Sequence, residues 1–162
     1  MIITVAGAAL TSLSAADVPV LGVYVVSSEA KPGWKHFDSA SFPNLGYIAD
    51  RADLQVARLR DVSVQDTLQR STIVRSDGSS ESTEEWQPTL VIELFPLDAT
   101  ALTQLTRAHL GKRMLFILGN EPLVAPMIRM EIDDSIMSIP LPKGADAEKI
   151  KAALQGLCGE KQ

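Results

Sequence analysis

The spacing of apolar and polar positions divides this chain into strand-like and helix-like segments. Val18–Ser27 (VPVLGVYVVS) is β-branched and apolar, which predicts a buried strand beyond Pro19. Gln55–Asp61 sets Val56, Ala57, Leu59 and the following Val62 against Arg58 and Arg60, the alternation of a half-buried strand. Thr67–Arg75 and Pro88–Phe95 predict the two arms of a β-hairpin. Between them, SDGSSESTEEWQ is too polar to bury and predicts a mobile tip that turns at Asp77-Gly78. Asp98 is placed as the N-cap of a helix whose apolar face carries Ala101, Leu102, Leu105, Ala108 and His109, with Thr103, Gln104 and Arg107 facing away. Gly111 closes that helix as a left-handed cap, and Lys112 and Arg113 offset the charge of its carboxyl end.

Met114–Leu118 (MLFIL) predicts a central strand, followed by a turn at Gly119–Pro122. Leu123–Ala125 and Met127–Ile132 predict one further strand, bent or placed at an edge by Pro126. Asp133–Ser135 turns into a last strand, Ile136–Leu141. A closing helix, Asp146–Leu157, buries Ala147, Ile150, Leu154 and Leu157, and leaves Cys158 as a half-buried packing residue. Two helices with one apolar face each require a covering layer. The expected class is α+β: a mixed or antiparallel sheet with two helices packed on one face.

Composition narrows the picture. A chain of 162 residues is most simply one domain with a full core, here expected over residues 17–162. Net charge is −5, and the one basic cluster, Arg51, Arg58 and Arg60, is interleaved with Asp50, Asp53 and Asp61. That argues against a nucleic-acid partner, which needs a concentrated cationic face. Residues 1–16 join the apolar run Ile2–Leu10 to a small-residue ending, Ser14-Ala15-Ala16. This pattern predicts the remnant of a secretory signal peptide and hence a periplasmic or secreted protein. A buried strand carrying ITVAGAAL is the alternative, since no basic residue precedes the run; in that case a cytoplasmic location stays open. The run is too short to span a bilayer, and no membrane span is expected.

Chemistry is sparse. A single cysteine and two histidines supply no zinc spacing, and no cofactor or metal is expected. Ser28–Ala49 combines Pro32, Gly33, Pro43, Asn44 and Gly46 with Trp34, Phe37, Phe42 and Tyr47, which predicts an irregular excursion. Its four aromatics are the candidate binding surface; the competing reading is that they pin the loop to its own body. His36 defaults to a surface histidine. Asp77, Glu81, Glu84 and Glu85 lack the ligand spacing of a calcium loop, and Ser79 and Ser80 have neither a nucleophile elbow nor a base. Glu131 and Asp133, with His109, form the alternative reading, a small hydrolase or metal-dependent enzyme. That reading requires the three to converge. Without a partner, His109 is a packing histidine.

The segment LTQLTRAHLGKRMLFILGNEPLVAPMIRMEI resembles the first periplasmic (head) domain of SecD, a membrane-embedded accessory subunit of bacterial protein export. The matching features are Leu105-Thr106, Gly111-Lys112, Met114–Leu118, Gly119–Glu121, Ala125-Pro126 and Ile132, continued by the last strand and helix. The resemblance covers residues 60–158, with a weaker start at Arg60-Asp61-Val62. It departs at His109, where that family usually has Asn, and at Asp133-Asp134-Ser135, which replaces a glycine-rich sequence. The membrane spans of SecD proteins have no counterpart here. The resemblance implies the fold, an exported location and a non-catalytic binding or accessory module, freestanding, that contacts a polypeptide or an envelope protein through the aromatic loop or an exposed sheet edge. A purely structural envelope component is the third reading.

Overall fold

The computed structural model describes residues 19–159. The expected signal remnant lies outside them. Eleven elements follow in order: Leu21–Val26 (β1), Trp34–Phe37 (β2), Gly46–Ala49 (β3), Leu54–Val56 (β4), Leu59–Val74 (β5), Ser80–Leu94 (β6), Pro96–Ala108 (α1), Arg113–Leu118 (β7), Glu121–Val124 (β8), Ile136–Pro140 (β9) and Ala147–Gln155 (α2). The class is α+β with antiparallel strand pairing. Instead of one sheet there are three, in the orders β4-β1-β7-β8, β2-β3 and β5-β6-β9.

The first sheet is buried on both faces, which explains why MLFIL is apolar without alternation. In β1 and β7, Val23 is paired with Phe116, and Tyr24 with Leu115. Leu21, Val23, Met114 and Phe116 join the main core with Ile92, Ile139, Leu102 and Leu154. Val26 and Leu115 face the other way, into a smaller cluster with Ile48, Phe37, Phe42 and Leu45. The cover on that side is the β2–β3 hairpin. Ser28–Ala49 is therefore less irregular than its glycines and prolines suggest: it forms a short hairpin because the second apolar face of the sheet needs a lid. Gly46 makes the close approach possible. Its φ is +132°, and a Cβ there would stand 2.5 Å from the Ser27 carbonyl oxygen.

The alternating run at Gln55–Asp61 is not one strand. It breaks after Val56, and the chain passes from β4 of one sheet to β5 of another. Val56 and Leu59 both stay in the main core, so the apolar pattern is met by two strands.

The polar segment expected as a mobile tip is strand almost throughout. β5 and β6 stay in register from Val62↔Ile92 out to Val74↔Ser80, whereas β9 accompanies β6 only from Thr89 to Glu93. Beyond that the hairpin runs on as a two-stranded ribbon. Its charges are opposed: Arg70 pairs with Glu84, Arg75 with Glu81 at 2.7 Å, and Thr72 meets Ser82 at 3.1 Å. Exposed pairs contribute little each, but like charges are kept apart and nothing opposes the backbone ladder. Only the turn is irregular, with Gly78 at φ +81° and Asp77 accepting from the Ser79 amide at 2.9 Å. The Ser79 hydroxyl and amide together hold the Asp77 carboxyl below its ordinary value.

α1 begins one turn earlier than Asp98 predicts. Phe95 is the N-cap, without a side-chain bond, and Pro96 opens the helix, where its missing N–H costs nothing. Asp98 falls in the first turn, and partial burial raises its carboxyl above the ordinary value. The buried face is also rotated from the expected one: Ala99, Leu102 and Thr106 are buried, whereas Ala108 is exposed. The reason lies in the next segment. Met127–Ile132 is not the predicted strand: it pairs with the residues before β7 only as far as Met127 and Ile128, bends at Met130, and has no ladder beyond. Threonine hydroxyls substitute. Thr106 Oγ1 accepts from the Ile132 amide at 3.0 Å, and Thr103 Oγ1 donates to the Ile132 carbonyl at 2.7 Å. α1 ends at Ala108 with His109 as its C-cap, so Gly111 does not close the helix as expected; it makes a left-handed turn two residues later, at φ +81°, and its amide donates to the Ile128 carbonyl at 2.8 Å. α2 starts as predicted, with the Asp146 carboxylate accepting from the Lys149 amide at 3.0 Å.

Arg107 clamps the same segment from outside. Its Nε and Nη2 donate to the two carboxylate oxygens of Glu131 at 2.9 and 2.5 Å. The bond holds the Glu131 carboxyl below its ordinary value of 4.5 and raises Arg107. A depressed carboxyl stabilises the fold above its unfolded-state pKa and loses that contribution as pH falls through the folded value. Melting of wild type and Glu131→Gln should therefore differ at neutral pH and converge in acid. A difference that is constant with pH would contradict the clamp.

Candidate binding surfaces

The four aromatics proposed as a binding surface are divided by the hairpin. β2 and β3 pair Trp34 with Ala49, His36 with Tyr47 and Phe37 with Gly46, so Trp34, His36 and Tyr47 share one face. Phe37 and Phe42 pack into the smaller core. On the opposite face the His36 and Tyr47 rings meet edge-on with centroids 5.2 Å apart, and Lys31 Nζ lies 4.5 Å over the Trp34 ring. Two of the aromatics thus hold the lid down, and two face outward, each with a polar neighbour.

The residues of the enzyme alternative have separate engagements. Glu131 is held by Arg107, and His109 Nδ1 donates to the Leu105 carbonyl at 2.9 Å within its own helix. Among the described residues, no three His, Cys, Asp or Glu side chains group closely enough to hold a metal ion.

A groove of about 730 Å³ opens where β9 meets the segment after Pro126. Met127, Met130 and Ile132 line it on one side, and Ile136, Ser138 and Pro140 on the other. Met130 is 72% exposed, and Met127 and Ile136, also exposed, line the same groove, so the apolar exposure here is a patch rather than a single side chain. Four of the five methionines of the chain line this groove, Met114 and Met137 being buried and Met127 and Met130 exposed. Methionine is unbranched and polarizable, and a methionine-lined surface adapts to apolar side chains of different shape.

One wall of the groove is also a free sheet edge. Among the described residues β9 pairs with β6 alone. The Leu94 amide donates to the Ser135 carbonyl, and the Leu141 amide to that of Pro88, so odd-numbered residues of β9 turn their backbone groups toward β6. The alternation of an antiparallel ladder then turns those of Ile136, Ser138 and Pro140 outward. Pro140 sits where its missing N–H breaks no bond. The sequence carried part of this signal in its methionines. Which strand would be an edge could not be read from it.

No family model matches this chain, and no curated protein does. Two solved structures resemble it in fold: a membrane component SecDF that enhances protein export, at TM-score 0.50, and SecDF in a super-membrane-facing form, at TM-score 0.51. Each is 18% identical and covers 85% of this chain, which spans 62% of the first and 19% of the second. The fold is SecD-like. Among the described residues no helix is long and apolar enough to cross a membrane.

Proposed function

We propose that this chain is a non-catalytic accessory module resembling the first periplasmic head domain of SecD, and that it holds an extended polypeptide segment against β9. The reading takes residues 17–162 as one domain, placed in the periplasm or secreted, in a protein-export setting. The observation that carries it is the unpaired β9 edge beside the methionine-lined groove. An edge supplies main-chain hydrogen bonds without sequence demands, and alternate side chains of the added strand would rest on Met127 and Met130. The likeness to SecDF, a component that enhances protein export, is in keeping with this role. The outward aromatics Trp34 and Tyr47 serve as a secondary surface, with Phe37 and Phe42 supporting them from beneath.

Amide hydrogen exchange with and without a β-branched octapeptide tests the reading. Peptide should slow exchange at the amides of Ile136 and Ser138, the two that point outward from β9. Slowing confined to residues 34–47 would move the site to the hairpin and overturn the edge.

A further inference from the structure

Eight of the described lysines and arginines lie within 4.0 Å of a carboxylate. Six others do not pair with a described carboxylate, Arg51, Arg58 and Arg129 at separate places and Lys31, Lys112 and Arg113 together, these last three lining one cavity of about 400 Å³ between the end of β1 and the start of β7. Its apolar wall is Val26, Leu45 and Met127. One carboxylate, Glu29, also lines it, leaving the cavity cationic in a chain whose net charge is −5. Two of the cations are positioned by neighbours that leave their charge uncompensated. Lys31 lies over the Trp34 ring, and Arg113 Nη1 donates weakly to the Ala125 carbonyl at 3.4 Å. Solvated lysines need no cavity; three uncompensated cations around one favour an anion.

Met127 belongs to this cavity and to the β9 groove alike. A strand lying in the groove and crossing Met127 therefore ends at the three cations. We propose that the cavity takes a carboxylate of the bound polypeptide, making the module selective for an apolar segment followed by an acidic group. The inference rests on the polypeptide reading above. The carboxylate has two sources, an acidic side chain or a free chain terminus, and both present the same pair of oxygens to Arg113 and the lysines.

Fluorescence anisotropy with three versions of one apolar β-branched peptide tests this: a free C-terminal carboxylate, a C-terminal amide, and an amide preceded by glutamate. Wild type should bind at least one carboxylate version about tenfold more tightly than the neutral amide, and the version preferred identifies the source. The K112Q/R113Q variant should lose that preference while keeping its affinity for the neutral peptide. Added salt should erode the preference in wild type. Equal binding of all three peptides by wild type overturns the carboxylate site and leaves the groove standing. Absence of any peptide binding overturns both. Binding to anionic phosphatidylglycerol vesicles that requires Lys112 and Arg113, without discrimination among the peptides, assigns the cavity to a lipid headgroup and overturns the proposal.

Discussion

Phe116→Ala is expected to destabilise the fold by about 3–5 kcal/mol, the range for removing a large aromatic from a core that cannot collapse around the void. Phe116 is 2% exposed and lies on β7, between β1 and β8 in the only four-stranded sheet described. Its register neighbours are Val23 and Val124, and it belongs to the cluster that unites the first sheet with β5, β6, β9 and both helices. The void would open where three layers of contact meet. For a domain of this size the loss corresponds to a fall in Tm of roughly 10 °C or more. Phe37→Ala provides the internal comparison. Phe37 is only half-buried and rests on the lid side of the same sheet, so its removal should cost clearly less and loosen the β2–β3 hairpin first. Denaturant titration of both variants checks the difference. Equal losses would mean that the lid and the main core are one cooperative layer, contrary to this description.

The elements that could be read from the sequence are those whose causes are local. MLFIL fills the centre of a sheet, Asp146 caps α2, and Gly111 takes the left-handed turn that leads from α1 into β7; each depends on residues within one or two turns of itself. The misread segments depend on partners far along the chain. Trp34–Phe37 is a strand because the outer face of β1 and β7 lies bare without it, and no window around Trp34 contains that fact. The ribbon looked like a loop because its residues are polar on both faces. Its backbone ladder holds it, and the opposition of Arg70 to Glu84 and Thr72 to Ser82 leaves nothing against that ladder; both appear only once the register is known. Met127–Ile132 has the composition of a strand, yet its backbone pairs only at its start, where Ile128 bonds to Gly111 and Lys112, and at Ile132 the bonds go to the hydroxyls of Thr103 and Thr106. The same threonines explain the rotated face of α1: Thr103, expected to face away, joins Thr106 in serving an interior backbone. Of the candidate sites, the aromatic loop was visible as composition, whereas its division between two faces followed from the pairing of β2 with β3. The groove was least legible. Its exposed residues, Met127, Met130 and Ile136, become a surface only because β9, among the described residues, has a neighbour on one side and none on the other.

The central claim is that polypeptide joins the β9 edge, and Ser138→Pro tests it with the largest functional effect expected. Ser138 turns its N–H outward, so proline there leaves the bonds of Met137 and Ile139 to β6 in place and edge strands tolerate it. For an incoming strand the change removes a donor and sets a ring where the backbone would lie. Loss of one or two main-chain bonds, each contributing about 0.5–1.5 kcal/mol net, predicts binding weaker by about tenfold or more. Ser138→Ala keeps the N–H and should bind as wild type does, which separates the edge from the hydroxyl. Melting of both variants confirms that the fold is kept. The measurement is the affinity of one apolar, β-branched peptide for wild type, Ser138→Ala and Ser138→Pro. A loss confined to Ser138→Pro is the predicted result; equal affinity for all three proteins, with the fold intact, would contradict strand addition at β9.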